Sequence, residues 1–244
     1  MKVDVPPIYV AQTLVLKQAG EPVVEMNYHQ ALKACRDASL STTPLNEQDA
    51  KKLGRTYYQL WFDNKRSAWQ KDDWDFEAGG KEGEHCQFHI KHDSFKIVYT
   101  ATGSYDIDLM TKSATMEASS GFMPGGHEGL DDEDQLDTSA DVRGFQRLGY
   151  AQDAGQRCLR WRAPKPSSVE SCTWSEGRKW GFGSGSGGYQ ATGAYDAGSI
   201  VLWVHPPNGS GGELTTQKMT VGGEPFDDAV FAPPSGVSIK KGGR

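Results

Sequence analysis

QRCLRWRAPKPSSVESCTW, residues 156–174, reads as a β-hairpin that two cysteines can staple. Folding the stretch about Lys165 sets Cys158 opposite Cys172, Arg160 opposite Glu170 and Trp161 opposite Val169, and each pair suits a cross-strand contact. Pro164, Lys165, Pro166 and Ser167 form the loop between the strands, because proline has no N–H to give a ladder. Alternation sends Cys158, Arg160, Arg162 and Glu170 to one face and Leu159, Trp161 and Val169 to the other. Only the second face suits a core, so the Cys158–Cys172 bond is expected on the outer surface of a sheet.

Four cysteines form an even set, and with Cys158 and Cys172 joined the remaining pair is Cys35 with Cys86. Two disulfides place the chain in an oxidising space such as the periplasm or the extracellular medium. The alternative is four buried thiols in a cytosolic protein. The first residues, MKVDVPPIYV, have neither the apolar core nor the small-residue cleavage site of a signal peptide. They read as a processed chain with an added methionine or as a cytosolic start.

A chain of 244 residues can bury a sizeable core without help from disulfides, and residues 1–244 are read as one domain. The 29 glycines, many of them clustered, favour a turn-rich β fold over a helical bundle. A net charge of −6 argues against a nucleic-acid partner, which calls for a basic face. No apolar run reaches the roughly 18 residues needed to cross a bilayer.

Strand patterns surround the hairpin. Ile8 to Lys17 alternates and, after QAGEP, resumes from Val23 to Tyr28 as a second strand. From Met26 the pattern blurs, and Leu32 and Cys35 suggest a short helix. Asn46 can cap another that ends at Gly54. RTYYQLWF (55–62) turns at Asp63, Asn64 and Lys65 and returns through Arg66 to Gln70. KDDWDFEAGGKEGE then reads as a polar connection. Residues 85–91 and 95–101 read as strands parted by His92, Asp93 and Ser94, and Tyr105–Met110 with Lys112–Ala118 as a further pair. Residues 121–141 read as a long acidic loop and 181–188 as a flexible glycine run. Ser199–His205 is a strongly apolar strand.

The motifs that carry chemistry fail their context. Gly183, Gly185 and Gly188 match the dinucleotide fingerprint, but no helix pattern follows to receive a pyrophosphate. His127 and Glu128 begin a zinc-protease motif whose fifth residue is Asp131 instead of histidine. In a strand, His85 and His89 stand roughly 13 Å apart, too far for one zinc ion. Asp131, Asp132, Asp134 and Asp137 lack the glycine and the closing glutamate of a calcium loop. No catalytic residue, metal site or cofactor is therefore expected. Asn208, Gly209 and Ser210 form a glycosylation sequon.

The strand aromatics point to binding. Tyr58, Leu60, Phe62, Trp69, Ile97, Tyr99, Val201 and Trp203 exceed what one face of a flat sheet needs, and a curved sheet can use them to line an apolar pocket. The bland reading of the same residues is an ordinary core.

The closing segment GGEPFDDAVFAPPSGVSI, with Phe231, Pro233 or Pro234 and Gly236, resembles that of lipoprotein-localisation-like families. The opening hairpin from Ile8 and the RTYYQLWFDNKRSAWQ hairpin are also similar to theirs. The resemblance implies an incomplete, strongly curved antiparallel barrel with short helices on its concave side and a lipid or acyl chain in the cavity. The cysteine hairpin, the acidic loop and the glycine run have no counterpart in that pattern. The expectation is a mainly β, non-catalytic extracytoplasmic protein that binds an apolar small molecule or lipid. The competing reading is an interaction module whose acidic loop meets a basic protein partner; an enzyme with a dispersed site ranks third.

Overall fold

The computed structural model describes residues 4–64, 66–80, 85–118, 140–180, 182, 194 and 199–242. Most of the acidic loop, the glycine run and the motif residues within them lie outside the described residues. The strands are β1 (Ile8–Gln18), β2 (Glu21–Pro22), β3 (Ser41–Thr43), β4 (Arg55–Asp63), β5 (Arg66–Gly79), β6 (His85–Thr100), β7 (Gly103–Asp108) and β8 (Ser113–Glu117). They continue as β9 (Gln146–Asp153), β10 (Gln156–Arg162), β11 (Glu170–Trp174), β12 (Val201–His205), β13 (Gly211–Val221) and β14 (Ser238–Lys241). All belong to one sheet, ordered β14-β8-β7-β6-β5-β4-β1-β13-β12-β11-β10-β9, with β2 beside β1 and β3 beside β6. Pairing is antiparallel except where β14 meets β8 and β3 meets β6. Among the described residues the path does not close, and the helices are few and short. This is the open, mainly antiparallel architecture the sequence leads one to expect.

The sheet curls, and its side chains show where. Ile8, Val10, Tyr58, Leu60 and Phe62 from β1 and β4 share one core cluster with Cys158, Cys172 and Trp174 from β10 and β11. Strands that far apart in a flat sheet could not touch through one face. Trp180 and Phe182 fill the space between, with Phe62 and Phe182 rings 4.7 Å apart. We call the Leu60 face the inner face.

Polar side chains are enclosed as well, and Gln12 is the largest of those fully buried. The β1–β13 register slips between Ala11 and Gln12, and such a bulge leaves backbone groups to satisfy. Gln12, fully buried, donates from Nε2 to the Val201 carbonyl at 2.7 Å and to Thr216 Oγ1 at 2.9 Å. Thr216 in turn donates to the Leu202 carbonyl. The three strands β1, β13 and β12 are thereby tied where the ladder is irregular.

Several expected details are corrected. The strand expected over Val23–Tyr28 is the first part of helix α1 (Val23–Asp37), because Val24, Tyr28 and Leu32 recur every four residues, a spacing that serves either period. β5 runs on through KDDWDFEAG, since Trp74 and Phe76 alternate there, and β6 passes unbroken through His92–Ser94. The cysteine hairpin pairs two residues out of the expected register: Cys158 faces Trp174, Arg160 faces Cys172 and Arg162 faces Glu170. Both disulfides form as expected, Cys35–Cys86 and Cys158–Cys172. The second lies in the core, with both cysteines fully buried, and not on the outer surface. Its face is packed by Trp174, while Leu159 and Trp161 are covered on the other side by Ala140 and Phe145.

The outer face is covered at two places. Helix α1 lies here and not on the concave side where the helices were expected, because the apolar residues it can cover, Phe76, Phe88 and Ile90 at the far end of β5 and β6, face outward and meet its Tyr28 and Leu32. Helix α2 (Glu47–Ala50) is a single turn capped by Asn46, which accepts from the Asp49 N–H at 2.9 Å. Near the C-terminus, Phe231 packs on Ala68, Val98, Ile107 and Ala114. Arg66 holds that segment, bonded to Asp63 at 2.6 Å and Asp228 at 2.5 Å, with its guanidinium 4.3 Å from the Phe231 ring centre.

Candidate functional site

Register brings most of the aromatic residues singled out in the sequence onto the inner face. Across β4, β5, β6 and β7 the rows read Phe62–Ser67–Tyr99–Ser104, Leu60–Trp69–Ile97–Asp106 and Tyr58–Lys71–Phe95–Asp108. Alternation puts all of these on one side.

Burial then divides them. Leu60 and Phe62 are 1% and 2% exposed and Tyr58 is 8% exposed, all locked in the core by the residues packed against β4. Val201 lies in a separate cluster with Val204, Leu214 and Val169. Trp203 flanks the core and lies 4.5 Å from the His205 ring. Trp69, Ile97 and Tyr99 remain together and half-buried, joined by Phe95, whose ring centre is 5.7 Å from that of Trp69. Sequence reasoning misses Phe95, although its alternation with Ile97 and Tyr99 is visible there.

Charge borders this stripe. Lys71 stands in the Phe95 row and bonds Asp73 at 2.5 Å. Burial works against the Lys71 ammonium, but the Asp73 bond and charge hold its pKa above the ordinary value. Burial raises the Tyr99 pKa, and the nearby Asp106 and Glu117 raise it further. Asp106 is raised as well, first by burial and then by Glu117. The stripe is therefore apolar in the middle, bordered by the Lys71–Asp73 ion pair on one side and by the Asp106 carboxylate on the other.

The next rows along the inner face line a hollow. A cavity of about 240 Å³ is bounded by Leu14, Leu16, Val24, Asp73, Lys91 and Asp93, among others. Asp73 there accepts from the Thr56 hydroxyl as well as from Lys71. Leu16 is 56% exposed, so this cavity opens to solvent beside an apolar wall. A second hollow, about 460 Å³, lies at the opposite strand ends around Asp63, Arg66 and Thr100.

The histidines do not converge. His85 hydrogen-bonds Thr43 at 3.1 Å, His89 is exposed, and His92 bonds Asp72 at 3.1 Å on the outer face while stacking on Trp74. Among the described residues no three His, Cys, Asp or Glu side chains are grouped to hold a metal ion. No helix among them is long and apolar enough to cross a membrane.

No family model matches the chain, and no curated protein matches it. Among solved structures, an uncharacterized conserved protein from Thermus thermophilus is similar over 97% of this chain and 90% of its own, at 6% identity and a TM-score of 0.40. PNGF-II is similar over 97% of this chain and 31% of its own, at 7% identity and a TM-score of 0.38. At these scores neither likeness bears on function.

Proposed function

We propose that the protein is a non-catalytic, extracytoplasmic binding protein that holds the apolar chain of a lipid or fatty acid on the inner face of its open sheet. The observation that carries this reading is the half-buried stripe of Trp69, Phe95, Ile97 and Tyr99, which runs row by row toward the cavity at Leu14 and Leu16. Apolar walls with a few placed polar groups are the usual composition of a small-molecule site. Lys71 and Lys91, paired with Asp73 and Asp93, supply with these aspartates the polar groups that a head group would meet at the cavity. The resemblance to lipoprotein-localisation-like families agrees with it. The two disulfides suit an oxidising compartment, and the periplasm is the compartment we favour.

Tryptophan fluorescence during titration with dodecanoate tests the proposal, alongside native mass spectrometry of the gently purified chain. Saturable quenching, lost in Trp69→Ala and weakened about tenfold in Ile97→Ala, is the expected result. Absence of saturation with dodecanoate or a phospholipid, together with a clean protein mass, would sink it.

A further inference from the structure

The outer face carries a second set of rings and polar groups. Between helix α1 and the C-terminal segment, one row across β13, β1, β4, β5, β6 and β7 reads Lys218, Ala11, Gln59, Gln70, Lys96 and Ile107. Tyr9 and Trp61 stand in the adjoining row on the same face, their ring centres 5.6 Å apart. Gln59 donates from Nε2 to the Tyr9 hydroxyl at 2.9 Å. Gln70 donates to Asp72 at 2.9 Å and so keeps its own carbonyl oxygen for an incoming donor.

Lys96 is the anomaly in this row. It is 7% exposed, and among the described residues it has no hydrogen bond or ion pair. Its one polar contact is the face of Trp61, with Nζ 5.9 Å from the ring centre. Its aliphatic stem is buried while Nζ itself is not among the fully enclosed unpaired atoms, so the ammonium is held at the surface of the strip, partly desolvated and without an anion. Burial depresses its pKa accordingly. At the other end of the strip Lys218 lies 5.9 Å from the Tyr9 ring centre. Four strand spacings separate the two lysines, roughly 19 Å along the sheet. Between them Ala11 leaves the floor low.

Each of these features selects the same ligand chemistry. The rings of Tyr9 and Trp61 offer flat apolar faces to the C–H face of a sugar. The amides of Gln59 and Gln70 match hydroxyls as both donors and acceptors. The two lysines call for negative charge, and Lys96 supplies the one partly dehydrated cation, for which a carboxylate would complete the missing pair. We infer that this strip binds an acidic oligosaccharide, a short run of pyranose units bearing carboxylates, laid across β13, β1, β4, β5 and β6. The site is on the face opposite the proposed lipid groove and does not depend on it.

Isothermal titration of the intact chain with tetragalacturonate and with neutral maltotetraose tests the inference. Tetragalacturonate should bind, maltotetraose should bind at least about tenfold more weakly, and raised salt should narrow the gap. Lys96→Met and Trp61→Leu should each cost about tenfold in affinity for the acidic sugar, while Trp69→Ala on the inner face should leave it unchanged. Lys96→Met keeps the buried stem and removes an unpaired, partly desolvated charge, so its thermal midpoint should equal or exceed that of the parent protein and show that it folds. Equal affinity for the neutral sugar, no heat with tetragalacturonate or an oligomannuronate, or unchanged binding in a folded Lys96→Met would each overturn it.

Discussion

Cys158 and Cys172 are bonded along a diagonal of their hairpin: across the ladder Cys158 faces Trp174, and Cys172 faces Arg160. Diagonal neighbours share a face, so the bond reaches inward to the same side as Trp174 and is enclosed with it. The two-residue offset follows from the loop, where the Ala163 N–H bonds the Val169 carbonyl at 2.8 Å and the Ser168 N–H bonds the Pro164 carbonyl at 3.2 Å. It also lets Arg160 and Arg162 both reach Glu170, at 3.1 and 2.7 Å.

The buried bond closes a short loop of sequence separation 14. Replacing both of its cysteines, Cys158→Ala with Cys172→Ala, should lower unfolding free energy by about 3 kcal/mol in urea titrations. Thiol counting on the denatured, unreduced parent protein should find no free thiol; finding four would remove the oxidising-compartment assignment.

Glu170 gives a pH signature. Its hydrogen bond from Arg162 outweighs the effect of burial and, with Arg160, holds its pKa below the ordinary 4.5. A carboxylate depressed on folding stabilises the native state above the unfolded value, and that contribution is lost as pH falls through the folded one. Glu170→Gln should therefore be less stable than the parent protein near neutral pH, with the difference shrinking below pH 4.5. A constant gap from neutral to acid pH would show that the ion pairs are not its source.

The inner-face residues should separate into two behaviours. Leu60→Ala, at a fully buried site, should cost about 2–5 kcal/mol of stability. Ile97→Ala, half-buried in the stripe, should cost much less and express itself in ligand affinity. Denaturant midpoints and dodecanoate titrations on the same two proteins distinguish these outcomes.

Thr216→Val should cost about 1–3 kcal/mol, because it strips Gln12 of an acceptor in a site closed to water and leaves the Leu202 carbonyl without that donor. Hydrogen exchange should quicken at the junction of β1, β12 and β13. A valine variant as stable as the parent protein would mean that water replaces the hydroxyl.

Where sequence and structure agree, the signal is local. Alternation in RTYYQLWF and in Phe95–Tyr99 is a property of consecutive residues, and so are the Asn46 cap and the Asp63–Asn64 turn. Val24, Tyr28 and Leu32 are ambiguous because a spacing of four fits a strand face and a helix face equally. The acidic residues around Trp74 and Phe76 hide a strand whose outer face is covered by α1, a contact between Tyr28 and Phe76 made across a long stretch of chain. The same limit applies to the groove. Which aromatics line it and which are sealed depends on Trp180 and Phe182 arriving from far along the chain, and no periodicity in β4 announces them. In the sequence Lys96 is one more lysine in a strand; only the rows on either side of it make it solitary.

The irregular ends of the sheet have a consequence for association between copies. The border strands of an open sheet are the usual starting point for strand-by-strand polymerisation. Here one border is β14, a short strand lying parallel to β8 and carrying Lys240 and Lys241. The other is β9, where the register slips between Arg160 and Trp161 and Gly149 takes a φ of +101°. Lysine repels an incoming strand, and a bulge bends the template out of line. Among the described residues, charge at one border and misfit at the other thus both disfavour continuation of the curled sheet into a fibre.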